Sequence, residues 1–428
     1  MSLRHAFTLT FCLIASSVCR SQQQTPGTPS GEARHRVQLG IEALQRWYVP
    51  SIGLYRTTGW WNSANAITTV TEYMRVSGSK QYDAVLANTY TQAQIVVPKA
   101  QQVGSLAKMT GFPGFINTYF DDEGWWALAW IDAYDVTRNG AYLATAQAIF
   151  EDMAGGWDDT CGGGIWWSKD RTYKNAIANE LFFSVAAHLT TRVPSRRQRY
   201  AGWAAKEWRW FAGAGMINER HLVNDGLTID ETSGTCRNNA KTVWTYNQGV
   251  LIGALAEWSK SDLKPAGLED ASLIAGAAVT YLTDKDGILH DACEPDCGAD
   301  GVQFKGIFMR NLRALDMVAP NPRFRTLFVS NADSIWKKDQ APEVRFGVVW
   351  SGPPLALEAG AQSSALDALI AAIQDQKQSV TSSVGRAGAL RPFPLEGRSG
   401  SRAQWVLLPR SRKLQQSRNR IGHSEAGK

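Results

Sequence analysis

The stretch Asp121-Asp-Glu-Gly-Trp-Trp-Ala-Leu-Ala-Trp130 opens a segment that is apolar on nearly every side of a helix, as far as Thr137. A helix at a protein surface carries one apolar stripe, whereas a helix that is apolar nearly all round is buried. The segment 196–211 differs, because five Arg and Lys residues accompany its three Trp residues. That helix can face water on one side. The two patterns predict an inner layer of enclosed helices and an outer layer that meets solvent.

Helix-length spacing of apolar residues continues on both sides of this segment. Loops that contain Gly, Pro and Asp separate the predicted helices, and sustained β alternation is scarce. The twelve predicted helices span residues 33–47, 64–76, 82–96, 123–137, 142–153, 174–191, 196–211, 240–258, 268–282, 303–317, 323–336 and 363–373.

Every second predicted helix is preceded or opened by aromatic and polar residues. The six stretches are Gly59-Trp-Trp-Asn-Ser-Ala-Asn65, Asp121-Asp-Glu-Gly-Trp-Trp126, Ile165-Trp-Trp-Ser-Lys-Asp170, Thr242-Val-Trp-Thr-Tyr-Asn-Gln248, Val302-Gln-Phe-Lys-Gly-Ile307 and Phe346-Gly-Val-Val-Trp-Ser-Gly352. Repetition of one supersecondary unit is typical of repeat architectures. Six such helical hairpins predict an all-α fold that closes into an (α/α)6 toroid, a single domain over residues 31–378.

The composition is that of a globular protein, with 44% hydrophobic and 20% charged residues. It excludes a wholly disordered or collagen-like chain. The net charge of +6 is concentrated near the C-terminus, where residues 381–428 contain ten Lys and Arg against two Asp and Glu. That balance of +8 leaves −2 for the rest of the chain. A near-neutral body argues against a nucleic-acid or membrane-surface partner.

The two ends of the sequence differ from the helical region. Residues 1–19 have the outline of a secretory signal peptide, with Arg4 and His5 before a short apolar run and small residues. Residues 20–30 form a linker rich in Gln, Pro and Thr, and residues 379–428 are expected to be a basic, disordered tail. The tail has no terminal apolar segment, so a GPI signal is not expected. We therefore expect a secreted protein, with the cell wall as an alternative location.

The cysteines are consistent with an oxidising compartment. They are Cys12, Cys19, Cys161, Cys236, Cys293 and Cys297. The first two leave with the signal peptide, and the even remainder of four predicts two disulfides. Cys293 and Cys297 are close enough to close a local loop, which leaves Cys161 to pair with Cys236. The alternative is a zinc site that includes His290, but a paired C-x-x-C and a fourth ligand are lacking.

Asp121 and Asp122 are the candidate catalytic residues. Asp is a preferred N-cap and acids in a first turn complement the helix dipole, so a purely structural role is the alternative. A cap needs only one Asp, however, and consecutive carboxylates repel each other. Two carboxyl groups in an aromatic-lined cavity acquire different pKa values, which keeps one protonated and the other ionised. Glycoside hydrolysis requires that division of roles.

Aromatic and polar residues at the predicted helix mouths are candidate substrate-binding residues. The flat C–H faces of sugars pack on aromatic rings, while their hydroxyl groups take hydrogen bonds from polar neighbours. For any one of the 17 Trp residues, filling of the helical core is the alternative role. The candidates are Trp61, Asn65, Trp125, Trp126, Trp166, Trp167, Lys174, Asn175, Tyr246, Asn247, Phe304 and Lys305. No dinucleotide, Walker, H-E-x-x-H or G-x-S-x-G motif occurs, so no cofactor and no metal are expected.

Several separated motifs occur in order over residues 31–375. They are Trp60-Trp-Asn-Ser-Ala-Asn65, Asp121-Asp-Glu-Gly-Trp-Trp-Ala-Leu-Ala-Trp130, Cys161-Gly-Gly-Gly-Ile-Trp-Trp167, Lys174-Asn-Ala-Ile-Ala-Asn179, Tyr246-Asn-Gln-Gly249 and Phe304-Lys-Gly-Ile307. This set resembles glycoside hydrolase family 76, which comprises endo-α-1,6-mannanases and fungal cell-wall relatives linked to GPI-protein cross-linking. The resemblance implies an (α/α)6 fold and a retaining mechanism, with Asp121 as nucleophile and Asp122 as acid/base.

Together with the expected secretion, the resemblance implies a secreted, retaining endo-α-1,6-mannanase whose partner is α-1,6-mannan or a mannosylated cell-wall glycan. An obligate protein partner is not implied. The first alternative is a cell-wall transglycosidase that links GPI-protein glycan to wall polymer, because its active site would contain the same residues. The second is a non-catalytic mannan-binding protein, in which Asp121 and Asp122 act only as helix caps.

Overall fold

The protein is described here by a computed structural model. The residues that it describes are 29–102, 109–230, 232–261 and 267–373. The predicted signal peptide (1–19), most of the predicted linker and the predicted tail (379–428) lie outside these residues. Residues 29 and 30, assigned to the linker from sequence, instead belong to the first helix. Proline favours the first turn of a helix because its fixed φ is already helical, and this helix begins at Pro29.

Helices account for most of the described residues, and each of the twelve predicted helices is present. In chain order the helices are α1 (Pro29–Leu44), α2 (Trp60–Ser77), α3 (Asp83–Gln92), α4 (Phe120–Thr137), α5 (Gly140–Ala154), α6 (Ala176–Arg192), α7 (Arg197–Gly213), α8 (Thr245–Ser259), α9 (Leu268–Tyr281), the one-turn α10 (Gly298–Gly301), α11 (Phe304–Val318), α12 (Pro322–Lys338) and α13 (Ala359–Ala371). Antiparallel pairs join β1 (Tyr48–Val49) to β2 (Leu54–Tyr55), β3 (Leu227–Ile229) to β4 (Cys236–Asn238), and β5 (Gln340–Ala341) to β6 (Arg345–Phe346).

Six helices form an inner ring in which each packs against the next: α2, α4, α6, α8, α11 and α13. The ring closes because α13 also packs against α2. The other long helices lie outside it, as α5 on α4, α7 on α6, α9 on α8 and α1 on α13 show. Nearly every residue of α6 and α8 is buried, whereas α7 exposes one face. The predicted all-α toroid with inner and outer layers is therefore confirmed.

Polar contacts join α13, the last helix of the ring, to the first two helices of the chain. Gln362 Nε2 in α13 donates a 3.0 Å hydrogen bond to the carbonyl of Gly40 in α1. Thr69 Oγ1 in α2 donates to Oδ1 of Asp367 in α13 at 2.8 Å. Ser30 near the start of α1 and Ala372 just after α13 line the same cavity, which has a volume of about 320 Å³. The two ends of the helical array therefore meet.

Ion pairs connect the later turns of neighbouring inner helices. Arg192 in α6 contacts Asp135 in α4 at 2.7 Å and also pairs with Glu257 in α8. Arg75 in α2 contacts Asp132 in α4 at 2.9 Å. The side chains around Arg192 are mostly buried. Removal of one partner from such a pair strongly destabilises the folded protein, because it leaves the other charge without compensation. The network therefore holds the end of the inner ring that lies away from the helix N-termini.

Two disulfides restrain loops on the other end of the ring. Cys161 in the loop before α6 pairs with Cys236 in β4, and Cys293 pairs with Cys297 immediately before α10. These are the pairings expected from sequence. The zinc alternative is wrong, because both of its candidate thiols are in a disulfide. No helix within the described ranges is long and apolar enough to cross a membrane.

Candidate active site

The N-terminal ends of the inner helices surround an open cleft with a volume of about 470 Å³. Helices α2, α4, α8 and α11 contribute residues near their N-termini, α10 contributes Asp300, and the loops before α4, α6 and β3 contribute the remainder of the wall. The lining residues are Trp61, Tyr119, Asp121, Asp122, Trp125, Trp167, Tyr173, Asn175, Asp225, Tyr246, Asp300 and Phe304. Eight of the fourteen catalytic and substrate-binding candidates predicted from sequence are thus brought together in one cleft.

Backbone hydrogen bonds hold the three loops side by side. The N–H of Phe120 donates to the carbonyl of Trp167 at 2.9 Å, and the N–H of Trp167 donates to the carbonyl of Tyr173 at 2.7 Å. The N–H of Ala176 in turn donates to the carbonyl of Asp225 at 2.9 Å. Segments that are far apart in sequence therefore form one continuous wall of the cleft.

Asp121 and Asp122 lie in the first turn of α4, and both are partly open to the cleft. The helix begins at Phe120 and its N-cap is Tyr119, so neither aspartate occupies the N-cap position. Asp121 accepts two hydrogen bonds, from the backbone N–H of Asp122 at 3.0 Å and from Trp167 Nε1 at 2.9 Å. Asp122 Oδ2 accepts one, from Asn117 Nδ2 at 2.7 Å.

Burial and hydrogen bonding affect the pKa values of the two carboxyl groups differently. Burial raises the pKa of Asp121 to about 7, although the hydrogen bonds from Trp167 and from backbone N–H groups lower it. Burial and the neighbouring Asp121 charge together raise the pKa of Asp122 well above its ordinary value. Hydrogen bonds from N–H donors favour the charged form of a carboxyl group. Asp121 accepts more of them than Asp122, so the ionised form is favoured more at Asp121 than at Asp122.

Aromatic rings form a platform in the cleft. The rings of Tyr246 and Phe304 are stacked with centroids 3.8 Å apart, and those of Trp61 and Trp125 are stacked at 5.6 Å. Trp125 also lies 6.4 Å from Tyr246 in a stacked arrangement, which joins the two pairs. Burial and the nearby charge of Asp121 raise the pKa of Tyr246 well above its ordinary value. Its hydroxyl group therefore stays protonated and available as a donor.

Four lining residues were not predicted from sequence: Tyr119, Tyr173, Asp225 and Asp300. Trp61 Nε1 donates a 3.0 Å hydrogen bond to Oδ1 of Asp300, which lies in the short helix α10. The hydroxyl of Tyr173 donates to Oδ2 of Asp225. All four lie in loops or in a single helical turn, where apolar periodicity gives no signal. Tyr119 lies close in sequence to Asp121, Tyr173 to Asn175, and Asp300 to the Cys293–Cys297 pair, whereas Asp225 has no such neighbour.

The two lysines predicted to bind substrate are buried and do not line the cleft. Lys174 is fully buried, and its Nζ donates to Oδ1 of Asp158 at 2.8 Å and to loop carbonyls, including that of Thr160 at 2.7 Å. Lys305 is also buried and contacts Glu294 Oε1 at 2.7 Å. A buried ammonium group requires such compensation. Their donors hold loops in place and do not reach the cleft.

The structure also places four other candidates outside the cleft lining. Trp126 is fully buried and packs among other aromatic rings, while Trp166 is buried with its indole N–H donated to a carboxylate of the preceding loop. Asn65 accepts a hydrogen bond from Arg310, which keeps it within the ring. Asn247 is fully buried in α8. In the pairs Trp125-Trp126, Trp166-Trp167 and Tyr246-Asn247, only one of the two neighbouring residues lines the cleft.

The fold and the cleft together define an all-α toroid of the (α/α)6 class with an acidic pair on an aromatic platform. Comparison with known proteins then identifies the family. The profile of glycosyl hydrolase family 76 matches residues 43–383. The chain belongs to this family.

Curated relatives are similar over part of their length. Mannan endo-1,6-alpha-mannosidase DCW1 of Candida albicans is 31% identical over 231 residues, which cover 47% of this chain and 47% of the relative. Mannan endo-1,6-alpha-mannosidase DFG5 of Saccharomyces cerevisiae is 28% identical over 301 residues, or 64% and 61% of the two chains. The chain thus matches about half to three fifths of the length of these relatives.

Solved structures share the fold. An inactive variant of the alpha-1,6-mannanase GH76A of Salegentibacter, in which two consecutive aspartates are replaced, was solved with alpha-1,6-mannotetrose. It has a TM-score of 0.69 at 22% identity and covers 80% of this chain and 98% of that one. Dfg5 of Chaetomium thermophilum, solved with glucosamine, has a TM-score of 0.66 at 22% identity, with coverage of 82% and 92%.

Proposed function

We propose that this protein is a retaining endo-α-1,6-mannosidase that hydrolyses linkages within α-1,6-mannan. The observation that carries the proposal is the unequal pair at the start of α4, where Asp121 accepts two N–H donors and Asp122 accepts one. A retaining glycosidase needs one ionised nucleophile and one protonated acid. Family membership supports the reaction class, and the names of the relatives support the linkage.

In the first step, a carboxylate oxygen of Asp121 attacks the anomeric carbon while the bond to the glycosidic oxygen breaks. The proton of Asp122 moves to that oxygen, so the leaving sugar departs as a neutral alcohol. In the second step, Asp122 takes a proton from water as the water oxygen attacks the glycosyl ester. Asp121 leaves as a carboxylate, and both residues return to their starting protonation states.

The platform supports binding of an uncharged polysaccharide. Trp61, Trp125, Tyr246 and Phe304 offer ring faces to sugar C–H groups, and Tyr246 also offers a neutral hydroxyl donor. Asn175 adds an amide to the same wall. The open cleft is compatible with an internal segment of a chain, which an endo-acting enzyme must admit.

We further propose that the enzyme acts outside the cell. Two disulfides are typical of proteins from oxidising compartments. The relatives named as mannan endo-1,6-alpha-mannosidases come from fungi. Expression of the full chain in a fungal host should deliver the protein to the medium or the wall fraction, and retention in the cytosol with four free thiols would contradict this location.

The function is tested by product analysis with a linear α-1,6-mannotetraose. Wild-type protein and the exposed-site control Asp270→Asn should release shorter products whose new reducing ends are α by NMR, whereas Asp122→Asn should not. Products longer than the substrate would instead establish transglycosylation. An intact substrate that still binds, with equal affinity for Asp122→Asn, would indicate a binding protein.

A further inference from the structure

Asn117 lies in the loop before α4 and contacts Asp122 without lining the cleft. Its Nδ2 donates a 2.7 Å hydrogen bond to Oδ2 of Asp122. Asn117 is half-buried, and its amide contacts the candidate acid directly. This contact is a route by which Asn117 can act on the reaction through Asp122.

The orientation of the Asn117 amide is fixed by a second hydrogen bond. The backbone N–H of Tyr119 donates to Oδ1 of Asn117 at 2.8 Å. Only the carbonyl oxygen of an amide accepts a hydrogen bond, since the NH2 group has donors alone. The NH2 group is therefore the part of the side chain that faces Asp122.

The loop itself is anchored to the buried carboxyl group of Glu123. The backbone N–H of Asn117 donates to Oε1 of Glu123 at 3.0 Å, and Glu123 is fully buried. Lys169 Nζ lies 3.0 Å from the same oxygen and 2.8 Å from Oδ2 of Asp152. Lys169 also donates its backbone N–H to the carbonyl of Thr118 at 2.9 Å. These contacts keep Asn117 at a fixed position relative to α4.

We propose that Asn117 is a positioning residue that determines which oxygen of Asp122 carries the catalytic proton. The inference rests on the proposed function. Since Oδ2 accepts the amide N–H, the proton of the neutral carboxyl group resides on Oδ1. Oδ1 is then the atom that donates to the glycosidic oxygen.

The same contact stabilises the state that follows proton transfer. When the proton leaves Oδ1, Asp122 becomes a carboxylate and the bond from Asn117 becomes charge-assisted, which makes it stronger. When Oδ1 later takes a proton from water, the contact returns to its neutral form. Asn117 thus favours proton donation while keeping the acid aimed at one atom.

The test compares Asn117→Ala, Asn117→Asp and wild type on two substrates. One is α-1,6-mannotetraose, and the other is a 2,4-dinitrophenyl α-1,6-mannotrioside, whose leaving group needs no protonation. For Asn117→Ala we expect kcat on the tetraose to fall about 10- to 100-fold with KM within about twofold, and activity on the aryl substrate to change much less. Asn88→Ala is the matched control, because Asn88 also donates a 2.7 Å hydrogen bond but to Tyr48, away from the cleft.

A carbon-13 NMR titration of the Asp122 carboxyl group provides the readout that is independent of activity. Loss of an N–H donor destabilises the carboxylate, so the pKa of Asp122 should rise in Asn117→Ala, and the basic limb of the kcat profile should move to higher pH. Asn117→Asp, which keeps the side-chain shape but adds a like charge, should raise it further. If Asn117→Ala does not fold, Asn117→Asp alone tests the shift.

An unchanged Asp122 pKa in a folded variant would overturn the proposal, whatever the activity. Equal losses on both substrates with an unmoved basic limb would also overturn it, because they would indicate a loop effect only. Failure of the proposed function has a different signature, in which wild type leaves both substrates intact. In that case the NMR titration still decides the role of Asn117.

Discussion

Trp167 Nε1 lies 2.9 Å from Oδ2 of Asp121, although Trp167 belongs to the loop before α6 and Asp121 to the first turn of α4. The indole is partly exposed, and its ring packs 5.0 Å from that of Tyr119. The ionisation of the candidate nucleophile thus depends on a loop from the next hairpin of the ring. The position of the loop that carries Trp167 therefore affects the pKa of Asp121.

Replacement of Trp167 by Phe should shift the pH dependence of the enzyme. The indole N–H lowers the pKa of Asp121, which burial raises to about 7, so removal of the donor should raise that pKa further. Since Asp121 must be ionised to attack, the acidic limb of kcat/KM should move to higher pH. Rates measured across pH 4–9 with α-1,6-mannotetraose check this. An acidic limb that stays in place would show that Asp121 is not the group that titrates.

The roles of the two aspartates can be distinguished by azide rescue. With an aryl α-1,6-mannobioside, Asp121→Ala should give a β-mannosyl azide, because azide enters from the face that the missing carboxylate occupied. Asp122→Ala should give an α-mannosyl azide, because azide displaces Asp121 from the glycosyl ester in place of water. NMR of the products identifies the anomer. The reverse assignment of anomers would exchange the roles of nucleophile and acid.

Removal of an aromatic face should weaken substrate binding. In an Asp122→Asn background, Trp61→Ala should raise the Kd for α-1,6-mannotetraose about tenfold or more, which corresponds to ~1.4 kcal/mol. Trp61 lines the cleft and stacks on Trp125, so both sugar packing and platform order are lost. Calorimetric titration measures the effect, and Tyr281→Ala removes an exposed ring on α9 as the control. Equal Kd values for the two variants would contradict the platform.

The ion pairs of the inner ring should contribute to stability. Arg192→Met leaves Asp135 and the buried Glu257 without their partner and should lower the unfolding free energy by about 3 kcal/mol. Arg199→Met, whose pair with Glu151 is exposed to solvent, should cost less than about 1 kcal/mol. Urea unfolding followed by circular dichroism compares the two. A similar small loss in both would mean that the inner pairs do not hold the ring.

The fold was predictable because each inner helix is apolar on most sides and each hairpin repeats the same entry pattern. Helix boundaries were less predictable, since they depend on contacts made elsewhere. The helix predicted from residue 240 begins at Thr245, because β4, held by its disulfide to Cys161, ends at Asn238 and residues 239–244 form the loop that follows it. Likewise α4 begins at Phe120, one turn earlier than its apolar pattern, since loop pairing with Trp167 already fixes its first N–H group.

The site was predictable where it is built from first turns of helices, as at Trp61 and Phe304. Asp225 and Asp300 were not, because backbone pairing and a one-turn helix bring them to the cleft, and neither has a signature of its own in the sequence. Lys174 was assigned to substrate because a lysine that is buried against loop carbonyls has the same local sequence as one that binds a ligand. The two kinds of lysine differ in the burial of the side chain. That burial depends on how the whole ring packs around the loop, which the local sequence does not show.

The closed ring also means that the order of the hairpins along the chain is not essential to the architecture. Ser30 and Ala372 line one cavity, so a short peptide can join them without disturbing α1 or α13. New termini can then be opened in an outer turn, such as the exposed Arg138–Gly140 connection between α4 and α5. A circularly permuted chain of this kind should still assemble the toroid, with its N- and C-termini at the connection between α4 and α5.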